Sequence, residues 1–189
     1  MKNVSLLYHS GFQLIRRPDI RKGRTNADFG QGFYLSDDKE FSKRWAGQRK
    51  DLSTYLNCYE LDTEGLNIKR FARDREWFDY IFANRSGQKD TLSEYDIIIG
   101  PIANDTLYDT LGIITSGFLQ KDQALQLLSF GPVYQQTAIK TEKALAALHF
   151  SNAVILSVEE LELYENTLRT EQDRFQAEFA KQLEIVPGE

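Results

Sequence analysis

A histidine directly after a short apolar stretch is the first side chain that could do chemistry. His9 follows residues 6–8 and precedes Ser10 and Gly11. Small residues at such a place let a ligand approach the backbone closely. Histidines at strand ends also serve as hydrogen-bonded structural residues, so the local pattern is compatible with a binding role and with a structural role.

A turn enclosed by glycines, with an aromatic pair behind it, is the second candidate. Residues 28–35 read DFGQGFYL, with Gly30 and Gly32 around the turn. Side chains alternate along a strand, so Phe33 and Tyr34 must point to opposite faces. One ring can therefore enter the core while the other lines a cleft. A glycine turn that only feeds a core strand explains the same residues equally well.

Two adjacent glutamines form the third candidate. Gln135 and Gln136 lie within residues 133–141, which have the character of a strand, so one amide points inward. A buried amide needs hydrogen-bond partners, which come either from the protein or from a ligand.

Cations crowd the loop between the first two candidates. Residues 16–24 contain Arg16, Arg17, Arg21, Lys22 and Arg24. This loop is either a solvated surface or a rim that binds phosphate or a partner, because guanidinium groups pair well with phosphate oxygens. The net charge of the whole chain is −5, which gives no support for broad nucleic-acid binding.

The hydrophobic patterning predicts an irregular mixture of strands and helices around these candidates. Strands are predicted at residues 4–8, 32–36, 54–61, 95–100, 133–139 and 153–156. Helices are predicted after the N-caps Ser36 and Thr141, and at residues 75–83, 105–114 and 121–128. This order favours an α+β fold with a curved or split sheet over a doubly wound parallel sheet. Neither a Walker-type loop nor a dinucleotide fingerprint follows a strand.

The end of the chain has a different composition. Residues 158–183 contain no glycine or proline and are rich in helix formers, and Ser157 can cap their start. We therefore predict a domain at residues 1–157 and a helical extension at 158–189. The helix either covers its own domain or offers a contact for a second copy or another partner.

Composition limits the kinds of site that the chain can build. Cys58 is the single cysteine, which excludes an internal disulfide, and only His9 and His149 could join it at a zinc ion, so no metal is expected. Cys58 itself is predicted to be a buried strand thiol. No apolar run is long enough for a signal peptide or a membrane span, which favours a cytoplasmic location. Export by a specialised secretion machine would require neither a signal peptide nor a membrane span.

Taken together, the order of His9, the Gly-x-Gly-x-Tyr turn and the late polar strand resembles a known superfamily. The chain is similar to the ADP-ribosyltransferase superfamily, in its His–Tyr–acid branch with Gln at the third position. More narrowly, it resembles the bacterial domain-of-unknown-function 3990 family. The resemblance covers about residues 6–150 and is carried by residues 7–11, 28–35, 95–105 and 136–145.

The resemblance implies NAD+ as the substrate, bound in a cleft of an ADP-ribosyltransferase-like split two-sheet core. His9 would then bond a ribose hydroxyl, and Tyr34 would stack on the nicotinamide. Arg24 is our candidate for the pyrophosphate, since it belongs to the basic loop. The remaining residues expected around the NAD+ are Ser10, Gly11, Phe29 and Gly32.

The third position departs from the pattern of the superfamily. Most such transferases use a glutamate there, and the corresponding residue in this chain is Gln136. An amide can hydrogen-bond a ribose hydroxyl but cannot take up a proton. Carboxylates that could stand in for it are Asp28, Asp105 and Glu142, although Asn104 and Asp105 are also typical helix caps.

The resemblance implies an NAD+-dependent mono-ADP-ribosyltransferase or an NAD+ glycohydrolase. Its relatives suggest a bacterial toxin held in check by a small antitoxin, with the C-terminal helix as a docking surface. An alternative is a module that binds NAD+ or another nucleotide without turnover. A nuclease toxin is a third possibility, against which the acidic charge argues. The acceptor of the ADP-ribose is open at this level.

Overall fold

The computed structural model describes residues 4–47, 49, 51–107, 112–114, 117 and 119–185. Seven strands are assigned within these ranges: β1 (Val4–Gly11), β2 (Phe33–Leu35), β3 (Tyr55–Asp62), β4 (Ile68–Arg70), β5 (Ile97–Pro101), β6 (Gln135–Ile139) and β7 (Leu148–Ile155). Six helices accompany them there: α1 (Lys39–Arg44), α2 (Arg75–Arg85), α3 (Asn104–Leu107), α4 (Lys121–Ser129), α5 (Glu142–Ala146) and α6 (Val158–Ile185). A short 3-10 turn lies at Ile20–Lys22.

The strands form two separate sheets. One sheet has three antiparallel strands in the order β1-β3-β7, and the other has four strands in the order β2-β6-β5-β4. Strands β4 and β5 run parallel, and the other pairs of the second sheet are antiparallel. A bridge between Tyr8 and Ser36 joins β1 to the end of β2. The predicted mixed α+β architecture with two sheets and a long C-terminal helix is confirmed.

The two sheets share a hydrophobic core on their facing sides. Leu7 and Tyr59 of the three-stranded sheet pack with Phe33, Ile97 and Ile139 of the four-stranded sheet. This packing holds the end of β1 against β2, so that residues from both sheets meet there.

The outer face of the four-stranded sheet is covered by α2. Ile98 and Ala138 pack there against Trp77, Phe78 and Ile81 of that helix. Strand β5 therefore buries Ile97 on one face and Ile98 on the other, as its run of three isoleucines predicts.

The start of α1 corrects one predicted cap. The N-cap is Asp38, whose Oδ1 accepts a hydrogen bond from Phe41 N at 2.9 Å. Ser36 Oγ instead donates to Gln135 O at 3.0 Å and accepts from Asp38 N at 3.1 Å. The prediction of a Ser36 cap was wrong because this hydroxyl is used to join the end of β2 to β6.

The region after β5 also differs from the prediction. Helix α3 spans four residues, and residues 108–111 of the predicted helix lie outside the described part of the chain. Asn104 and Asp105 are in the first turn of α3 and do not cap it. Asn104 Nδ2 donates to Phe130 O at 2.6 Å, and Asp105 accepts from Arg85. Long-range partners explain these two polar residues better than a local cap.

Two further strands extend beyond the predictions. The pattern gave no strand at Ile68–Arg70, and β7 begins five residues earlier than predicted, so that it includes the exposed His149. Cys58 lies in β3 as predicted but is only half-buried.

Helix α6 begins at a reciprocal cap and packs along one side. Ser157 Oγ accepts from Glu160 N at 3.2 Å, while Glu160 accepts from Ser157 N at 3.0 Å, as expected for a capping box. Leu161 and Phe175 are buried, and the Phe175 ring stacks on Phe130 with centroids 4.7 Å apart. Among the described residues, no helix combines the length and the apolar character that crossing a bilayer requires.

Candidate functional site

A cleft lies where the end of β1 meets β2 and β6. Its volume is about 570 Å³, which is within the range of small-molecule sites. Six of the residues singled out in the sequence as candidates for the site line this cleft, namely His9, Ser10, Arg24, Asp28, Tyr34 and Gln136. They come from positions up to 127 residues apart in sequence (136 − 9) and from both sheets. The fold therefore brings the three separate sequence segments to one place.

The imidazole of His9 has a defined hydrogen-bond polarity. Its Nδ1 lies 2.8 Å from Tyr34 O. A carbonyl oxygen only accepts, so Nδ1 carries the proton and Nε2 of the neutral ring is an acceptor. Burial lowers the pKa of His9, and the hydrogen bond to Tyr34 opposes this only in part. The ring at neutral pH is therefore an uncharged hydrogen-bond acceptor within the cleft lining.

Tyr34 is fixed at both ends of its side chain. Its hydroxyl donates to Gly30 O at 2.6 Å and accepts from Phe29 N at 2.9 Å. The ring stacks on Phe29 with centroids 6.5 Å apart. Burial, assisted by the nearby charge of Asp28, raises the pKa of Tyr34, so the phenol stays protonated. These contacts make Tyr34 a rigid aromatic surface and not a proton acceptor.

Glycines are required where the turn before Tyr34 meets its neighbours. Gly30 has φ of +72°, and a Cβ there would lie 3.0 Å from both Asp90 Oδ2 and Lys140 Nζ. A Cβ on Gly32 would lie 2.7 Å from Ile139 O, which is too close for any side chain. Close packing against Ile139 of β6 and against Lys140 thus fixes this turn in place.

Three of the residues expected around NAD+ lie outside the cleft lining. Phe29 is fully buried and stacks among core aromatic rings. Gly32 faces the backbone of β6, as described above. Gly11 is adjacent to the site, since a Cβ there would lie 3.6 Å from His9 Nε2. Phe29 and Gly32 instead shape the turn that precedes Tyr34.

Gln136 is held by a carboxylate. Its Nε2 donates to Asp28 Oδ2 at 3.0 Å, and both residues line the cleft. A carboxylate accepts and does not donate, so the amide nitrogen must face Asp28. Gln136 Oε1 accepts no hydrogen bond from the residues that the structure describes. The amide oxygen is therefore available to a bound molecule.

Arg85 at the end of α2 completes this group, although nothing in the sequence pointed to it. Its Nε donates to Asp28 Oδ1 at 2.8 Å, and its Nη1 lies 2.9 Å from both oxygens of Asp105. Burial disfavours the charged guanidinium, but the two carboxylates outweigh it and raise the pKa of Arg85. Of the three stand-in carboxylates, Asp28 lines the cleft, Asp105 lies behind Arg85, and Glu142 is exposed at the start of α5.

The opposite wall of the cleft comes from α1. Phe41 and Ser42 of α1 line it together with Trp45, which caps the end of the helix, and Ser42 O accepts from Ser10 Oγ at 2.6 Å. Arg24 is exposed at the rim, and its guanidinium forms no ion pair within the described part of the chain. The rim thus offers a cation that suits an anionic group of a ligand.

Among the residues that the structure describes, no three His, Cys, Asp or Glu side chains are grouped so that they could hold a metal ion.

Comparison with known proteins gives one match. A family model described as "Protein of unknown function (DUF3990)" matches residues 5–150. The matched range contains every residue that lines the cleft and ends before α6. No curated protein and no solved structure matches the chain.

Proposed function

The chain belongs to the DUF3990 family, as its resemblance predicted, and we propose from the site itself that it binds NAD+ and cleaves the nicotinamide–ribose bond. It would then transfer the ADP-ribose to an acceptor, as ADP-ribosyltransferases do, or to water. One observation carries the proposal. His9, Tyr34 and Gln136 line one cleft, in the order along the chain that the superfamily resemblance requires.

Each of these groups offers what one part of NAD+ needs. The neutral His9 ring accepts a hydrogen bond from a ribose hydroxyl. The rigid Tyr34 ring provides a stacking surface for nicotinamide, a contact worth about 0.5–1.5 kcal/mol beyond burial. The exposed guanidinium of Arg24 suits the pyrophosphate at the rim.

The electrostatics of the cleft also suit this reaction. When the glycosidic bond breaks, nicotinamide leaves with the bonding electron pair and positive charge develops on the ribose. The Asp28 carboxylate and the Gln136 oxygen place negative charge and a dipole near this group. Fixed charges and dipoles of this kind lower the barrier because they need no reorganisation during the reaction. The acceptor then adds to the ribose carbon and gives up its proton.

The chemistry of the Gln136 side chain limits the kinds of acceptor that the site can use. An amide cannot remove a proton, and the Asp28 carboxylate is engaged by Arg85 and Gln136. The site therefore favours water, or a nucleophile that loses its proton easily, over an acceptor that needs a strong base. Labelled NAD+ added to a cell lysate with the protein would identify the molecule that becomes modified.

The direct test is release of nicotinamide from NAD+ by the purified protein. We expect His9→Ala to reduce the rate about 100-fold, the usual cost of removing one preorganised polar contact at an active site. Tyr34→Ala should reduce it by about tenfold, since it removes the stacking contact with nicotinamide. His149→Ala is the matched control, since His149 is exposed on β7 and outside the cleft. Equal rates for the wild type and both cleft variants would refute the assigned roles.

A second candidate function is NAD+ binding without turnover, which the amide at position 136 favours. Calorimetry would then detect NAD+ binding that is lost in His9→Ala, while no nicotinamide accumulates over hours.

We further propose that the protein acts as a bacterial toxin restrained by a small partner, and α6 is the surface we propose for that contact. Its outward side carries Leu163, which is 62% exposed.

A further inference from the structure

The hydrogen bond between Asp28 and Gln136 indicates a role for Asp28 in addition to the negative charge that it contributes to the cleft. Asp28 is 7% exposed, and only its Oδ2 meets Gln136. We infer that Asp28 is a positioning residue that fixes the amide of Gln136, so that Oε1 and not the NH2 group faces the ribose. This inference rests on the proposed function for the identity of the ligand, while the contact itself can be tested without it.

Asp28 is held in place by the C-terminal end of α2. Asn84 Nδ2 donates to Asp28 O at 3.0 Å, which fixes the backbone. Arg85 holds Oδ1, and its other guanidinium donors are taken up by Asp105 and Thr106. Oδ2 is left for Gln136. The carboxylate is thus rigid, and its remaining oxygen has one use among the described residues.

The orientation of the amide matters because its oxygen and its NH2 group have nearly the same shape and opposite polarity. With the oxygen toward the ribose, the negative end of the amide dipole meets the positive charge that develops there. With the NH2 group toward the ribose, the same dipole opposes that charge. Loss of the Asp28 contact should therefore lower kcat more than it raises KM, because the charge exists only in the transition state.

The test uses a carboxylate at position 136. In Gln136→Glu, two carboxylates would face each other at hydrogen-bond distance, so the pKa of the pair rises and one proton is retained. The protonated side chain of this variant donates to Asp28 and presents its carbonyl oxygen to the cleft, as glutamine does. We expect kcat near the wild-type value at low pH and at least about tenfold higher once the proton is lost, because a full negative charge then acts on the positive charge that develops on the ribose.

Two further variants serve as controls. In the double variant Asp28→Asn with Gln136→Glu, the new amide donates to the new carboxylate, and the pH dependence should disappear. Gln135→Glu makes the same chemical change on the neighbouring residue of β6, which does not line the cleft, and should leave the pH profile unchanged.

Thermal unfolding separates this inference from the proposed function. The raised pKa in folded Gln136→Glu means that the folded state holds a proton more tightly than the unfolded state. Its stability should therefore fall as pH rises through the shifted pKa, and Gln135→Glu should show no such fall. The same pH profile in both variants would overturn the inference, whatever NAD+ does.

Other outcomes distinguish the two proposals. Should the double variant fail to fold, the comparison of Gln136→Glu with Gln135→Glu still decides. Gln136→Glu could show the expected stability profile while the wild type releases no nicotinamide. This result would refute the proposed function and the effect on the ribose, and the contact between Asp28 and residue 136 would stand. Nicotinamide release with the same kcat profile in Gln136→Glu and wild type would overturn the positioning role alone.

Discussion

Burial and hydrogen bonding shift the pKa of His9 in opposite directions. Desolvation lowers its pKa, and the bond from Nδ1 to Tyr34 O raises it by less. The result is a ring that stays neutral and that has one defined donor and one defined acceptor. Burial keeps the ring neutral, while the assignment of donor and acceptor depends on Tyr34, which is 25 residues away in sequence.

The lowered pKa makes stability depend on pH. In the unfolded chain His9 binds a proton near its ordinary pKa of 6.5, while the folded state resists protonation. Stability contributed by the neutral ring is thus complete above about pH 6.5 and decreases as pH falls from there toward the lowered pKa. We expect His9→Gln to remove this part of the slope in urea unfolding measured from about pH 8 to about pH 5.

The matched variant is His149→Gln, which changes the exposed histidine of β7 and should retain the slope. Identical slopes in wild type and His9→Gln would show that the ring is not held neutral by the fold.

Helix α6 supports the wall of the cleft although it lies beyond the family match. Arg44 of α1 donates to Glu171 at 2.7 Å, and Lys43 Nζ lies 3.0 Å from Tyr164 OH. Phe175 is buried in a cluster with Phe41, whose ring also lines the cleft. The boundary at residue 157 stays a prediction, but α6 is packed on the structure that holds the site.

Replacement of a buried residue on α6 should therefore destabilise the whole domain. We expect Phe175→Ala to lower the free energy of unfolding by about 3–5 kcal/mol, because it leaves a cavity among aromatic rings. Leu163→Ala on the exposed side should change it by less than about 0.5 kcal/mol. Chemical denaturation followed by circular dichroism measures both. Similar small effects of the two variants would mean that α6 is an independent extension.

The cleft exists only because the two sheets pack together. His9 belongs to the three-stranded sheet, whereas Tyr34 and Gln136 belong to the four-stranded sheet. The shared core between the sheets sets the separation of these side chains. A ligand that contacts all three should therefore stabilise the molecule as a whole.

This coupling predicts a shift in thermal unfolding. At a concentration 100 times its Kd, NAD+ should add about 2.7 kcal/mol to the free energy of unfolding, provided that it binds only the folded state. The transition should stay single and move upward with NAD+ concentration, and His9→Ala should largely lose the shift. An unfolding temperature of the wild type that does not respond to NAD+ would contradict binding in the cleft.

The sequence by itself determined the elements that carry a strong local pattern. The isoleucine run predicted β5, the aromatic stripe predicted α2, and the absence of glycine and proline predicted α6. The segments 7–11, 28–35, 95–105 and 136–145 also identified the DUF3990 family. These signals are local because hydrophobic periodicity and backbone preferences act over a few residues.

Only the tertiary structure decided how the polar residues pair. Gln136 lies 108 residues from Asp28 in sequence, and Arg85 lies 57 residues from it, so no local pattern connects them. The same holds for Ser36, which the local pattern predicted to be a cap and which instead bonds β6. Polar side chains have no period that reveals a distant partner. Their roles are set by the packing of the two sheets, which brings His9, Tyr34 and Gln136 to one cleft.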